Sequence, residues 1–270
     1  MTDKFVNLKK MFVKEINKIV LIGSGNVATH LALALTNKGK EIIHIYGRTI
    51  SKVKKLAGKI NSSFSDRPED IPDDAELYII SVSDDAICDV LKKIDFANKL
   101  IVHTSGTSHI EILKKSSDNF GIFYPLQTFS ADINIDFKNT PICIEANTKE
   151  NEILLSDLAK SISDNVYVIS SEERKILHVC AVFVSNFSNF MYSIADDILE
   201  KHNLSFDILK PLILESAKKI ISNKPKDVQT GPAFRKDQKT IEEHIDFLSD
   251  SEDYKNIYKI LSDHIIKGHK

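Results

Sequence analysis

Short apolar runs alternate with helical patterns in the first half of the chain, and this alternation restricts the fold most. Runs rich in β-branched residues predict strands at 18–22, 41–46, 75–82, 99–104, 140–145 and 165–169. Helical patterns lie between them at 26–37, 50–59, 84–93, 108–115 and 150–162. Because the runs are apolar on successive positions, both faces of each strand should be covered, as in a parallel sheet. The pattern predicts a doubly wound, mostly parallel α/β sheet.

The pattern changes near Ser170, and no strand is predicted after it. Helices are predicted at 171–200, 205–223, 238–249 and 252–267, and a loop with two prolines and a glycine at 224–237. We therefore expect an α/β domain followed by an all-helical domain. The expected segments are an N-terminal extension at 1–17, the α/β domain at 18–170 and the helical domain at 171–270.

Composition and charge exclude several classes of partner. The chain has 270 residues and a formal net charge of −2, which gives no electrostatic reason to expect nucleic acid or an anionic membrane. Its three cysteines, Cys88, Cys143 and Cys180, are too far apart to predict a disulfide framework or a metal site. No apolar run approaches the ~18 residues of a membrane span. We expect a cytoplasmic protein without a metal.

A glycine-rich turn follows the first predicted strand and opens the first predicted helix. Its residues are Gly23, Ser24, Gly25, Asn26, Val27 and Ala28. In the pattern G-x-G-x-x-G/A, the first glycine permits a tight turn and the second lets the backbone approach a pyrophosphate. The small third residue lets the helix pack on the strand, and the helix N-terminus binds the anion. The turn predicts a dinucleotide-binding Rossmann domain.

The end of the second predicted strand indicates which dinucleotide is bound. Enzymes that use NAD usually carry Asp or Glu there, about 20 residues after the glycines. This chain has Tyr46, Gly47, Arg48 and Thr49 instead. Arg48 offers a guanidinium to a 2′-phosphate, Thr49 a hydroxyl, and Lys52 a further charge from the next turn. These residues predict NADP(H), unless Arg48 is only a solvated surface residue.

Further cofactor contacts are expected where other strands end. In an open α/β sheet, ligands bind at the carboxyl ends of the strands. The predicted contacts at these ends are Ser81, Val82, Ser83, His103, Thr104 and Ser105. The segment 124–127 (Tyr-Pro-Leu-Gln) follows a short apolar run and is a further candidate. Ordinary turns are the alternative, with Ser83 or Asp84 capping the next helix.

The long predicted helix after Ser170 carries a polar stripe on an otherwise apolar surface. His178, Ser185 and Asn189 share one face by their spacing, with Asn186 beside it and Lys175 one turn earlier. A histidine exchanges protons near neutral pH, since its ordinary pKa is ~6.5. His178 is therefore the predicted proton donor. The alternative is a histidine that is buried in the core and already hydrogen-bonded.

The segment 230–237 (Thr-Gly-Pro-Ala-Phe-Arg-Lys-Asp) is the second unusual feature of the helical half. Its Arg235 has a guanidinium whose geometry suits a carboxylate or a phosphate. We predict that Arg235 binds the substrate. A plain turn between helices, with Asp237 as a cap, is the alternative.

These residues resemble a bacterial family of Rossmann-like NADP oxidoreductases with a C-terminal domain of unknown function. The strings that carry the resemblance span nearly the whole chain from residue 18: GSGNVATHLALAL, IYGRT, IISVSDDAI, VHTSG, FYPLQTFS, LHVCAVFVSNFSNFMY, TGPAFRKD and TIEEHI. More distantly, the layout is similar to pyrroline-5-carboxylate reductase, ketopantoate reductase and the β-hydroxyacid dehydrogenases. The resemblance implies an interdomain substrate cleft and a helical domain that forms a homodimer.

One departure from the β-hydroxyacid dehydrogenases bears on the chemistry. Their catalytic lysine and the following asparagine are not reproduced, because Lys175 is followed four residues later by Val179. We expect hydride transfer between NADP(H) and a small C=O or C=N compound, with His178 or Lys175 as proton source. The residues expected to orient the substrate are Asn186, Asn189 and Arg235. The alternatives are a non-catalytic NADP(H)-binding redox sensor and a helical scaffold that binds no nucleotide.

Overall fold

The computed structural model describes residues 15–130, 133 and 135–268. Most of the predicted N-terminal extension therefore lies outside the described residues. In the described part, eight strands form one sheet in the order β3-β2-β1-β4-β5-β6-β7-β8. They are β1 Lys18–Ile22, β2 Glu41–Tyr46, β3 Ser63–Ser65, β4 Leu77–Ile80, β5 Leu100–His103, β6 Asn119–Pro125, β7 Ile142–Ala146 and β8 Val166–Val168. This topology confirms the predicted doubly wound Rossmann sheet.

The strand directions decide where a ligand can bind. Strands β1 to β6 are parallel, β7 runs antiparallel to β6, and β8 is parallel to β7. The strand order reverses between β1 and β4, which are hydrogen-bonded neighbours. At such a reversal the flanking helices diverge and leave a crevice at the carboxyl ends of the strands.

The helices follow the predicted pattern with local differences. They are α1 Asn26–Thr36, α2 Ile50–Ile60, α3 Asp84–Lys93, α4 Lys149–Ile162, α5 Ser171–Ala181, α6 Ser188–Lys201, α7 Lys210–Ser222, α8 Pro232–Arg235, α9 Gln238–Phe247 and α10 Glu252–Gly268. The helix predicted at 108–115 is only a 3-10 turn, Ile110–Leu113. The loop predicted at 224–237 contains a 3-10 turn and α8. A π-helix, Val182–Phe187, joins α5 to α6.

Two apolar clusters cover the two faces of the sheet. Successive residues of β1 belong to opposite clusters, because side chains alternate along a strand: Ile19 and Leu21 lie on one side, Val20 and Ile22 on the other. All four are essentially inaccessible to solvent. Burial on both faces explains why the strands read as continuous apolar runs.

The contacts divide the chain into two compact units after Ser185. The first unit contains the sheet and α1 to α5, and the second contains α6 to α10. Helix α5, which the sequence places at the start of the helical domain, therefore packs with the sheet.

Residues Ser171–Lys201 form a helix of 31 residues that is long and apolar enough, by length and composition alone, to cross a membrane. This differs from the expectation that no segment approaches such a span. Many apolar side chains of this helix are exposed in the chain, among them Ile176, Val179, Phe183, Val184, Phe187 and Phe190. Apolar surface of this extent usually marks an interaction site.

Candidate functional site

A cavity of about 730 Å³ opens at the carboxyl edge of the sheet in the first unit. It brings together residues that the sequence places on separate strand ends. Those that line it are Gly23, Ser24, Gly25, Asn26, Val27, Arg48, Thr49, Lys52, Ser81, Val82, Ser83, Thr104 and Ser105. The two other predicted cofactor residues, Ala28 and His103, do not line the cavity and are fully buried. Ala28 belongs to the apolar cluster under α1.

The two glycines of the turn are required for different reasons. Gly23 has φ +120°, and a Cβ there would lie 2.0 Å from the carbonyl oxygen of Ser81. A side chain at Gly23 would therefore break the fold of the turn. A Cβ at Gly25 would meet no atom within 4 Å. The open space at Gly25, at the start of α1, fits the pyrophosphate of a dinucleotide.

The start of α1 is equipped to hold an anion. Gly25 is the N-cap and provides no side-chain hydrogen bond to the first turn. The first turn contains no acidic residue. A helix N-terminus without a side-chain cap has free N–H groups and a partial positive charge. Both properties suit a phosphate group.

A cationic end of the cavity lies beside the turn. Arg48, Thr49 and Lys52 line it there, and Asp89 and Lys93 of α3 line the same cavity. Within the described residues, no ion pair engages Arg48, Lys52 or Lys93. These cations therefore remain available to a phosphate. Asp89 and Lys93 were not predicted from the sequence, because they lie on a solvated helix face without a motif.

A tyrosine and a histidine meet at another part of the cavity lining. The Oη atom of Tyr124, in β6, lies 3.0 Å from Nδ1 of His178, in α5. Both side chains line the cavity with Gly106. A Cβ at Gly106 would lie 2.4 Å from Nδ1 of His178 and 3.0 Å from Cζ of Tyr124. Glycine at this position is therefore required for the pair to form.

Burial sets the protonation of Tyr124 and of His103. It raises the pKa of Tyr124 to about 12, so the phenol keeps its proton at neutral pH. Burial, helped by the charge of Arg174, lowers the pKa of His103 to about 4. The neutral His103 ring accepts a hydrogen bond at Nδ1 from the backbone N–H of Ser105, at 3.2 Å. This hydrogen bond helps to fix the conformation of the loop after β5.

A buried ion pair fixes the start of α5. The guanidinium of Arg174 donates to Glu145 at 2.7 Å and to the backbone oxygen of Ser108. The Ser171 hydroxyl donates to the same carboxylate at 2.6 Å and accepts from the N–H of Ile110 at 3.1 Å. The Arg174 side chain is 1% exposed. The network joins α5 to the loop that contains Gly106. Arg174 lies one helical turn before His178, so the network also holds the helix near that residue.

The segment that follows β6 is held from two sides. Asn26, in the first turn of α1, donates from Nδ2 to the backbone oxygen of Phe129 at 3.0 Å. The ring of His30 bonds to the backbone oxygen of Ser130 at 2.9 Å. The hydroxyls of Thr128 and Ser185 are 2.6 Å apart. The amide of Asn26 therefore bonds to this loop, and its contact with the cofactor stays a prediction.

The remaining predicted catalytic residues lie elsewhere. Lys175 is exposed on α5 and does not line the cavity. Asn186, Asn189 and Arg235 belong to the second unit, and their role at the substrate stays a prediction. The described residues contain no group of His, Cys, Asp or Glu that could hold a metal ion.

Comparison with known proteins identifies the family. A family model described as NADP oxidoreductase, coenzyme F420-dependent, matches residues 18–106, and a domain of unknown function, DUF2520, matches residues 140–265. A solved structure from Bacteroides fragilis, provisionally named an NADP oxidoreductase, is 39% identical with a TM-score of 0.89. The match covers 95% of this chain and 100% of that chain. This chain belongs to that family of NADP oxidoreductases. Its membership confirms NADP(H) as the predicted cofactor.

More distant structures share the fold. A Thermotoga maritima protein is 23% identical with a TM-score of 0.73, and the match covers 91% of this chain and 98% of that chain. A pyrroline-5-carboxylate reductase from Streptococcus pyogenes is 15% identical with a TM-score of 0.63, over 93% of this chain and 98% of that chain. No curated protein matches the chain by sequence. At these identities the likeness concerns the fold alone.

Proposed function

We propose that the protein is an NADP(H)-dependent oxidoreductase that reduces or oxidises a small C=O or C=N compound. One observation carries the proposal: a single cavity is lined by the glycine turn, by Arg48 and by the Tyr124–His178 pair. The first two suit a phosphorylated dinucleotide, and the pair suits proton transfer. Membership of the NADP oxidoreductase family supports the same chemistry.

The residues of the first unit divide the work. The N–H groups at the start of α1 bind the pyrophosphate, and Arg48, Thr49 and Lys52 bind the 2′-phosphate. When bound, NADPH supplies a hydride to the carbon of the substrate. The Tyr124–His178 pair supplies a proton to the atom that gains negative charge. We also propose that Asn186, Asn189 and Arg235 orient the substrate.

Calorimetric titration with NADPH and with NADH tests the cofactor assignment. A hydrogen bond to a charged group contributes ~1.5–3 kcal/mol. We therefore expect Arg48→Ala to weaken NADPH binding about 10- to 100-fold and to leave NADH binding nearly unchanged. Arg67→Ala is the matched control, since Arg67 pairs with Asp70 and does not line the cavity. Equal losses for both cofactors would overturn the role of Arg48.

Turnover separates an enzyme from a protein that only senses NADP(H). Oxidation of NADPH with a panel of small carbonyl and imine compounds is the measurement, and consumption by the wild-type protein is expected. Arg235→Ala should lower the turnover, as should His178→Ala. Binding of NADPH without consumption of any compound would favour the redox sensor.

We further propose that the protein is a cytoplasmic homodimer formed through the exposed apolar side chains of α5, the π-helix and α6. Val184 is 75% exposed in the chain, although an aliphatic side chain in water costs ~1.5–3 kcal/mol relative to burial. Light scattering after size-exclusion chromatography should give the mass of two chains. Val184→Lys should give one chain, whereas Ile153→Lys on α4 serves as the control. A monomeric wild-type protein would refute the dimer.

A further inference from the structure

We propose that Tyr124 is a catalytic residue that hands a proton to the substrate, and that His178 replaces this proton through Nδ1. The proposal rests on the proposed oxidoreductase function and assigns the order of the two groups within it. The sequence makes Tyr124 a candidate for ligand contact only, and neither it nor the family membership assigns a proton transfer to this residue.

Tyr124 can bond to His178 and to a ligand at the same time. Its Oη atom is 3.0 Å from Nδ1 of His178, and its side chain lines the cavity. A hydroxyl has one donor and two acceptor positions. The phenol oxygen can therefore accept from Nδ1–H while its own O–H points to a substrate in the cavity. Such a chain of hydrogen bonds is the arrangement that a proton relay requires.

The surroundings keep the phenol protonated until it reacts. Burial is the main cause of the high pKa of Tyr124, about 12, and the neighbouring Cys143 thiol adds to it. The positive charge of Arg174 opposes these effects in part. A reduced carbonyl oxygen is a stronger base than a phenolate, so it can take the phenol proton. Tyr124 thus keeps its proton at neutral pH and gives it up to the product oxygen.

His178 is placed to return the proton. It is half-buried, so solvent reaches the ring, whereas the Tyr124 residue is only 9% exposed. Imidazole has two ring nitrogens, so the ring can take a proton from water at one nitrogen and give one up at the other. Gly106 leaves room for the ring against Tyr124, and Arg174 holds the helix one turn earlier. A glycine and a buried ion pair thus position this contact.

The step balances for a carbonyl substrate. The carbon gains a hydrogen and two electrons from bound NADPH, and the C=O double bond becomes a single bond. The oxygen takes the proton of Tyr124, and the phenol oxygen takes the Nδ1 proton of protonated His178. Neutral His178 then regains one proton from water. The sum is one carbonyl, one NADPH and one proton converted to one alcohol and one NADP⁺.

The first test compares three proteins with p-nitrobenzaldehyde as the carbonyl probe. Loss of a general acid typically lowers the rate by about 100- to 10,000-fold. Tyr124→Phe should therefore lower kcat by about 100-fold or more, with the calorimetric Kd for NADPH unchanged. Tyr78→Phe is the matched control. Tyr78 is also buried and donates from its hydroxyl to the backbone oxygen of Pro72 at 2.8 Å, outside the cavity lining.

The second test needs no turnover. In protein labelled with ¹⁵N-histidine, Tyr124→Phe should shift the Nδ1 resonance of His178, whereas Tyr78→Phe should leave it in place. The variant His178→Gln identifies the resonance by its absence. The Nδ1 resonance reports the hydrogen bond between Tyr124 and His178 directly, so it does not depend on the rate of turnover.

The outcomes separate the two proposals. If Tyr124→Phe turns over the substrate at the wild-type rate, the role of Tyr124 is overturned and the oxidoreductase function is unaffected. A slow Tyr124→Phe variant with an unshifted His178 resonance would overturn the relay, because the two groups would not be bonded. Wild-type protein that binds NADPH but reduces no carbonyl or imine would overturn the function, and the relay with it.

Discussion

Replacing Gly25 by alanine separates the role of the turn in folding from its role in binding. A Cβ at Gly25 meets nothing within 4 Å, and the residue has φ −76°, which alanine adopts without strain. We therefore expect an unchanged or slightly higher melting temperature, since a Gly→Ala change at a compatible position stabilises by ~0.4–1 kcal/mol. The cost should fall on the ligand, because the methyl group occupies the space for the pyrophosphate.

The expected loss follows from the hydrogen bonds to a charged group that the methyl group prevents. Each contributes ~1.5–3 kcal/mol, so the loss of one weakens NADPH binding about 10- to 100-fold. Thermal unfolding and calorimetric titration of the same sample measure both quantities. Gly58→Ala, also free of contacts within 4 Å, is the control and should bind NADPH normally. Normal binding by Gly25→Ala would refute the assignment of the turn.

Two further predictions concern the stability of the first unit. Glu145→Gln leaves Arg174 buried without a counter-charge and should lower the free energy of unfolding in urea by ~3–5 kcal/mol. The control Glu152→Gln removes a pair with the exposed Lys149 and should lower it by less than ~1 kcal/mol. Equal losses in the two variants would contradict the importance of burial. His103 has its pKa lowered from 6.5 to about 4. Folding therefore favours the neutral ring, and this stabilisation is complete above pH 6.5 and is lost as the pH falls towards 4. The loss should be roughly 3 kcal/mol. His103→Gln should remove this part of the pH dependence, and an identical dependence in the variant would refute it.

Local patterns predicted much of the fold. Strands β1 and β2 have the predicted bounds, as does α3, because each is a regular apolar pattern between clear breaks. The three-residue strand β3 was missed, because it is too short for a periodic signal. Strand β6 was recognised only as a short run. The reversed direction of β7 could not be predicted, since the apolar pattern of a strand is the same in both directions.

The lining of the cavity was predictable where a motif has a local mechanism. The glycine turn and Arg48 belong to this class, because their spacing follows from the shape of the ligand. Tyr124 was a candidate only as part of the segment 124–127 at a strand end, and the apolar run of β6 does not reveal the contact of its hydroxyl with His178. The burial of Arg174 depends on Glu145, 29 residues away, and such a pairing exists only in the folded chain.

The start of α5 illustrates the limit of local reading. Two serines stand at the start of this helix, and the structure uses Ser170, with Glu173, as a reciprocal capping box. This leaves the hydroxyl of Ser171 free to bond to Glu145. A shift of one residue at the cap thus decides which hydroxyl enters the buried network.

The reversal of the last two strands determines from which side the histidine arrives. In a fully parallel sheet, every strand ends at the edge where ligands bind, and each following helix leads away from that edge. Strand β8 runs in the opposite direction, so the chain moves away from the ligand edge of the sheet before α5 begins. Helix α5 must then travel back towards the ligand edge, and it carries His178 there. A single antiparallel pairing converts a departing helix into an approaching one, so a side chain from its middle, rather than its first N–H groups, reaches the cavity.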